Sequence, residues 1–96
     1  MEITFEELLK KNKNNTLNII DIRNEYSYSK SHIIGAKNIP AKQLMREPET
    51  YLDYQEIYYI YCQSGSTSQK IVNILNNRGY HTFNVVGGFN NYLLWK

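Results

Sequence analysis

Two buried-looking runs punctuate this chain, and the helical patterns around them restrict the folds open to it. Leu17-Asn18-Ile19-Ile20-Asp21-Ile22 and Ile57-Tyr58-Tyr59-Ile60-Tyr61 are rich in β-branched and aromatic residues and bounded by polar segments. Runs of that length and composition read as buried strands. A capping box, Thr4-Phe5-Glu6-Glu7, precedes the first run, and Phe5, Leu8 and Leu9 give one apolar face to a helix over about 4–12. Residues 25–30 predict a second helix. Residues 42–45 and 49–52 predict one or two short ones, broken before Pro48 because the residue preceding a proline avoids helical backbone. Ser66 and Gln69 suggest a further capping box, and Ile71-Val72-Asn73-Ile74-Leu75 carries the helix onward. Gly79 fits its left-handed terminator, with Tyr80 as the apolar contact beyond. Gly35 and Pro40 bracket an extended piece over 36–39, 82–86 predicts another strand, Gly87-Gly88 a tight turn, and 89–95 a final amphipathic helix. Strands alternating with helices argue an α/β domain with a mainly parallel sheet and helices on both faces. Right-handed crossovers would bring the strand C-terminal ends to one edge, where ligand sites of such sheets lie.

Ninety-six residues make one domain, 1–96, with a single core. The net charge is only +2, and eleven Lys and Arg are interleaved with nine acids. The one dense basic run, Lys10-Lys11-Asn12-Lys13, reads as a solvated helix end, so no nucleic-acid partner is expected. No apolar stretch approaches the ~20 residues of a membrane span. Met1-Glu2-Ile3-Thr4 lacks the basic-then-apolar order of a secretion signal. The single cysteine excludes an intrachain disulfide, and His32 and His81 have no metal-ligand spacing around them, so neither metal nor cofactor is expected. A cytoplasmic protein with a free thiol is the expectation.

That thiol, Cys62, stands at the end of the second run. Gln63-Ser64-Gly65-Ser66-Thr67-Ser68 follow it, small and polar, and then the helix. A strand–loop–helix of this kind points backbone N–H groups and the positive end of a helix dipole at the sulfur. Both favour the thiolate, which is the nucleophile. Gly65 permits a turn that a Cβ would obstruct. The hydroxyls of Ser64, Ser66, Thr67 and Ser68 offer either hydrogen bonds to an anion or caps for the helix. Capping is preferred for Ser66, given Gln69, and the choice is open for Thr67 and Ser68.

Asp21-Ile22-Arg23, His32-Ile33-Ile34-Gly35-Ala36-Lys37-Asn38-Ile39-Pro40, Tyr61-Cys62 with its loop, Arg78-Gly79-Tyr80, Val86-Gly87-Gly88-Phe89 and Trp95 occur in this order. The ordered set resembles a single-domain rhodanese, a sulfurtransferase, over nearly the whole chain. The resemblance implies a rhodanese-like α/β fold of about five strands. It also implies a Cys62 persulfide that carries a sulfane sulfur from a donor such as thiosulfate or a persulfide to cyanide, a thiol or a protein acceptor. Gln63 to Ser68 would cradle the donor. Asp21 and Arg23 read first as an ion pair joining adjacent loops, and His32 as part of a turn. Many rhodanese loops carry an arginine where Thr67 stands; here Lys70 is the first cation after Cys62. Anion binding then falls to backbone N–H groups, the helix dipole, Lys70 or Arg23. One rival reading is a non-catalytic interaction or sulfur-carrier module. Another is a cysteine-dependent phosphatase, which needs an arginine six residues after the cysteine to clamp the phosphoryl oxygens; that position is Ser68.

Overall fold

A computed structural model gives the conformation of the chain and describes residues 1–95. The elements run β1 (Glu2–Ile3), α1 (Phe5–Lys11), β2 (Asn18–Asp21), α2 (Glu25–Lys30), β3 (Ala36–Asn38), α3 (Ala41–Arg46), α4 (Pro48–Tyr51), β4 (Ile57–Tyr61), α5 (Ser66–Asn77), β5 (His81–Val85) and α6 (Gly88–Trp95). The strands form a five-stranded sheet in the order β1-β5-β4-β2-β3, and every pairing is parallel. The strand order reverses direction between β2 and β4, whose last residues, Asp21 and Tyr61, stand opposite each other. Open parallel sheets bind ligands just beyond the strand C-termini at such a reversal, and Cys62 is the next residue on β4.

Side chains alternate across the sheet as the strand period requires. Ile20, Ile22, Tyr58, Ile60 and Cys62 pack with Leu44, Leu52, Ile71, Val72 and Leu75 on one face. Ile19, Tyr59, Tyr61 and Val85 pack with Phe5, Leu8, Ile33 and Phe89 on the other. Both faces are covered, which is why the two central strands read as continuous apolar runs rather than alternating ones.

Local signals explain most element boundaries. Thr4 caps α1: its hydroxyl oxygen accepts the Glu7 N–H at 3.1 Å, while Glu7 Oε1 accepts the Thr4 N–H at 3.0 Å. Pro48 occupies the first turn of α4, where its missing N–H costs nothing. At the end of α5 the Tyr80 N–H bonds the Leu75 carbonyl at 3.1 Å and the Gly79 N–H bonds that of Asn76 at 3.1 Å, with Gly79 at φ +97°. Tyr80 then stacks on Tyr54 with ring centroids 4.3 Å apart.

Two expectations are corrected. The short edge strand β1 was not anticipated; two residues against Asn84 and Val85 carry no periodic signal of their own. The Ser66–Gln69 capping box does not form. The residue before α5 is Gly65 in the left-handed region, and no side chain caps it. Ser66 is already helical, its hydroxyl 3.1 Å from that of Ser64, and the Gln69 side chain bonds Asn73 and Asn84 instead. The physical reason is that the Gln69 N–H, which the Ser66 oxygen would take in a capping box, already bonds the Gly65 carbonyl at 3.1 Å, so the helix starts one residue earlier.

Candidate active site

Cys62 is 7% exposed and sits beneath a cleft of about 400 Å³ lined by Ile22, Arg23, Asn24, Ser27, Gln63, Ser64 and Thr67. Its Sγ accepts the Gly65 N–H at 3.1 Å and the Ser68 N–H at 3.4 Å, and the Ser68 hydroxyl lies 3.3 Å away. Burial pushes the thiol up, but the Ser68 hydroxyl and the backbone N–H groups of Ser68, Gly65 and Ser64 outweigh it and hold Cys62 below its ordinary value. The twelve-residue α5 begins immediately beyond and adds its dipole in the same sense. The N–H groups of Ser66 and Thr67, in its first turn, have no acceptor within the helix and are available to an anion.

The loop keeps its shape because the turn after β5 packs against it. A Cβ on Gly65, at φ +96°, would stand 2.9 Å from the Gly87 nitrogen, and a Cβ on Gly88 would collide with the Cys62 carbonyl. The first N–H groups of α6 hold the other side of the loop: Phe89 N–H bonds the Cys62 carbonyl at 2.9 Å and Asn90 N–H bonds that of Gln63 at 3.0 Å.

Below the rim lies a buried ion pair. Both Asp21 oxygens lie 3.1 Å from Arg23 Nε, and Oδ2 also accepts from Nη2 at 2.8 Å and from the Tyr61 hydroxyl at 2.6 Å. Tyr61 in turn accepts the Ile33 N–H at 3.1 Å. Burial, reinforced by Asp21, pushes the Tyr61 phenol far above its ordinary value, so it remains a donor. Arg23 reaches further, to the Ser31 carbonyl at 2.6 Å and Gln63 Oε1 at 3.3 Å, and its guanidinium lies 4.0 Å over the Phe89 ring. The pair thus braces β2, β4, the segment after α2 and the start of α6.

The expected loop residues divide by position. Gln63, Ser64 and Thr67 line the cleft. Gly65 and Ser68 are buried alongside the sulfur. Ser66 is exposed but turned to Ser64, and Lys70 is exposed on α5 without lining the cleft. Arg23 is the one charged side chain in the lining among the described residues, and Asp21 neutralises it. His32 stacks on Tyr28 at 3.8 Å and bonds the Tyr28 carbonyl, away from the sulfur. Sequence reasoning missed Asn24 and Ser27 at the rim, Asn90, which accepts from Gln63 Nε2 at 2.7 Å, and Asn84 beneath Ser68. Only Asn84 had a signal: a polar residue in a strand's apolar run.

The profile of the rhodanese-like domain matches residues 4–94. The chain belongs to the rhodanese-like domain family. It is 31% identical over 93 residues to YrkF of Bacillus subtilis, named provisionally as a sulfur carrier protein; the match takes in 95% of this chain and 50% of YrkF. It is 31% identical over 78 residues to the thiosulfate sulfurtransferase PspE of Escherichia coli, covering 80% of this chain and 75% of PspE. The chain therefore spans about half the length of YrkF. Among solved structures, a protein of Staphylococcus saprophyticus superposes with a TM-score of 0.84 at 34% identity, covering 96% of this chain and 93% of that one. The five-stranded parallel sheet with helices on both faces is thus the rhodanese fold. No helix among the described residues is long and apolar enough to cross a membrane.

Proposed function

We propose that this rhodanese domain is a sulfurtransferase that carries a sulfane sulfur on Cys62. The observation that supports the reading best is the convergence on Sγ of two backbone N–H groups and one hydroxyl at the head of α5, under an open cleft. The Cys62 thiolate attacks the outer sulfur of the donor. A new S–S bond forms, the donor's own S–S bond breaks, and its electron pair leaves with sulfite or a thiolate. The acceptor, cyanide or a thiol, then attacks the terminal sulfur of Cys62–S–S⁻. The second S–S bond breaks and its electron pair returns to Cys62. This is covalent catalysis in two half-reactions. The N–H groups of Ser66 and Thr67 face the position where donor charge arrives, and Gln63 and Ser64 add polar contacts at the rim.

The chain has no second cysteine, so the persulfide passes to an external acceptor, a small thiophile or a partner protein. A free thiol with this role persists in a reducing compartment, and the cytoplasm is the one we propose. Ser68 fills the position at which a phosphatase needs its arginine, and its hydroxyl is buried against sulfur rather than presented to a phosphoryl group. The sulfur-carrier reading shares the Cys62 persulfide and differs only in turnover. Steady-state transfer to cyanide, with thiosulfate and separately with a low-molecular-weight persulfide, tests the proposal. Multiple turnovers abolished by Cys62→Ser support it. A single stoichiometric transfer per chain would favour the carrier, and no transfer from either donor would end both.

A further inference from the structure

Asn84 lies on β5 facing α5, 4% exposed, and bonds Ser68, whose side chain is wholly buried. The Ser68 hydroxyl has a single proton and three acceptors in reach: Cys62 Sγ at 3.3 Å, the Gly65 carbonyl at 3.2 Å and Asn84 Oδ1. The Gly65 carbonyl is already served by the Gln69 N–H at 3.1 Å and by Asn84 Nδ2 at 3.3 Å. Asn84 Nδ2 also bonds Gln69 Oε1 at 3.2 Å, which orients the amide with its oxygen toward Ser68. Sulfur and amide oxygen therefore compete for one buried proton. A hydrogen bond to an ionised acceptor is roughly twice as strong as one between neutral groups, so the charge on sulfur decides the contest.

We propose that Asn84 is a positioning residue for Cys62 that acts through Ser68, accepting the hydroxyl proton while the sulfur is neutral and yielding it when the sulfur is a thiolate. Neutral sulfur here means the thiol or the inner sulfur of a persulfide, where the charge has moved out to the terminal atom. Asn84 gives the hydroxyl a partner in the loaded state and so favours loading. That consequence rests on the sulfurtransferase reading, whereas the ionisation of Cys62 is measured with no sulfur donor present, so the two fail separately. The other groups facing Cys62 in these variants stay as they are: Arg23 with its partner Asp21 at the cleft, and the neutral Asn24, Ser27, Phe89 and Asn90 around it.

The test is the apparent pKa of Cys62, read from the pH dependence of alkylation in Asn84→Leu, Ser68→Ala and the double variant. Asn84→Leu removes the competing acceptor and should lower the midpoint by about 0.5, roughly threefold more thiolate at a given pH, the scale of one ordinary hydrogen bond. The same replacement should have no effect once Ser68 is Ala. An unchanged or raised midpoint, or an equal shift without Ser68, overturns the proposal; a merely structural Asn84 would lower the melting temperature and leave the coupling absent. In the unaltered protein the Asn84 side-chain amide resonances should titrate with the Cys62 midpoint and cease to do so in Cys62→Ser. Resonances that ignore the titration would overturn it even if the leucine variant does not fold.

Discussion

Cys62 owes its character to the Ser68 hydroxyl and the backbone N–H groups gathered at the head of α5. A capping oxygen normally receives the N–H that Ser68 directs at sulfur, so the helix end and the nucleophile use the same group. This ties folding to ionisation. A thiol held below its unfolded value in the fold contributes stability that is complete above the unfolded pKa and is lost as the pH falls through the folded pKa. The melting temperature of the protein relative to Cys62→Ser should therefore decline as pH drops across that window and level off beneath it. The alkylation rate should reach its plateau at lower pH than that of an unfolded peptide containing the same cysteine. A pH-independent difference in melting temperature, or coincident alkylation profiles, would contradict the assignment of Gly65 and Ser68 as donors to sulfur.

The elements are held in register by side chains that substitute for missing backbone partners. Asn76, on the last turn of α5, accepts the Thr82 N–H at 2.9 Å and the Thr82 hydroxyl at 2.8 Å, and donates to the Thr82 carbonyl at 3.0 Å. β1 pairs with β5 only at Asn84 and Val85, so Asn76 serves the stretch of β5 that β1 does not reach. Asn76→Ala should lower unfolding free energy by about 1–3 kcal/mol in chemical denaturation, because buried polar groups of Thr82 lose their partners. A loss within about 0.5 kcal/mol would show that water replaces the amide. Much at this scale was legible in the sequence. The Thr4–Glu7 box, the Gly79 terminator and the proline break act within a few residues, so they can be read from a few residues. The false capping box at Ser66 shows the limit: its letters were right, but the N–H it needed, that of Gln69, goes to the Gly65 carbonyl. Asn84, Asn90 and Phe89 reach the site from β5 and α6, and such meetings depend on topology that no local pattern encodes.

Across the whole molecule the sheet reversal between β2 and β4 creates the cleft, and the ion pair at its base neutralises Arg23, the one cation lining it among the described residues. On the proposed function, thiosulfate, a dianion, would therefore meet backbone dipoles and hydroxyls rather than a free positive charge, whereas a persulfide donor would bring less charge to neutralise. Placing an arginine at the rim, Thr67→Arg, should lower KM for thiosulfate by roughly tenfold, the scale of one charge-assisted contact, with a much smaller change for a neutral persulfide donor. Equal effects on both donors would remove electrostatics as the reason for any preference. The rhodanese fold, the placement of Cys62 at the strand end and the pairing of Arg23 with Asp21 were readable in the sequence; the further ties of Arg23 were not, because Ser31, Gln63 and Phe89 converge on it from three separate segments. The central claim, that Cys62 holds a transferable sulfur, is tested most directly by intact-protein mass spectrometry after mixing with thiosulfate or a low-molecular-weight persulfide. The account predicts a gain of one sulfur atom, located on Cys62, absent in Cys62→Ser and removed by cyanide or excess thiol. An unmodified mass with both donors would contradict it.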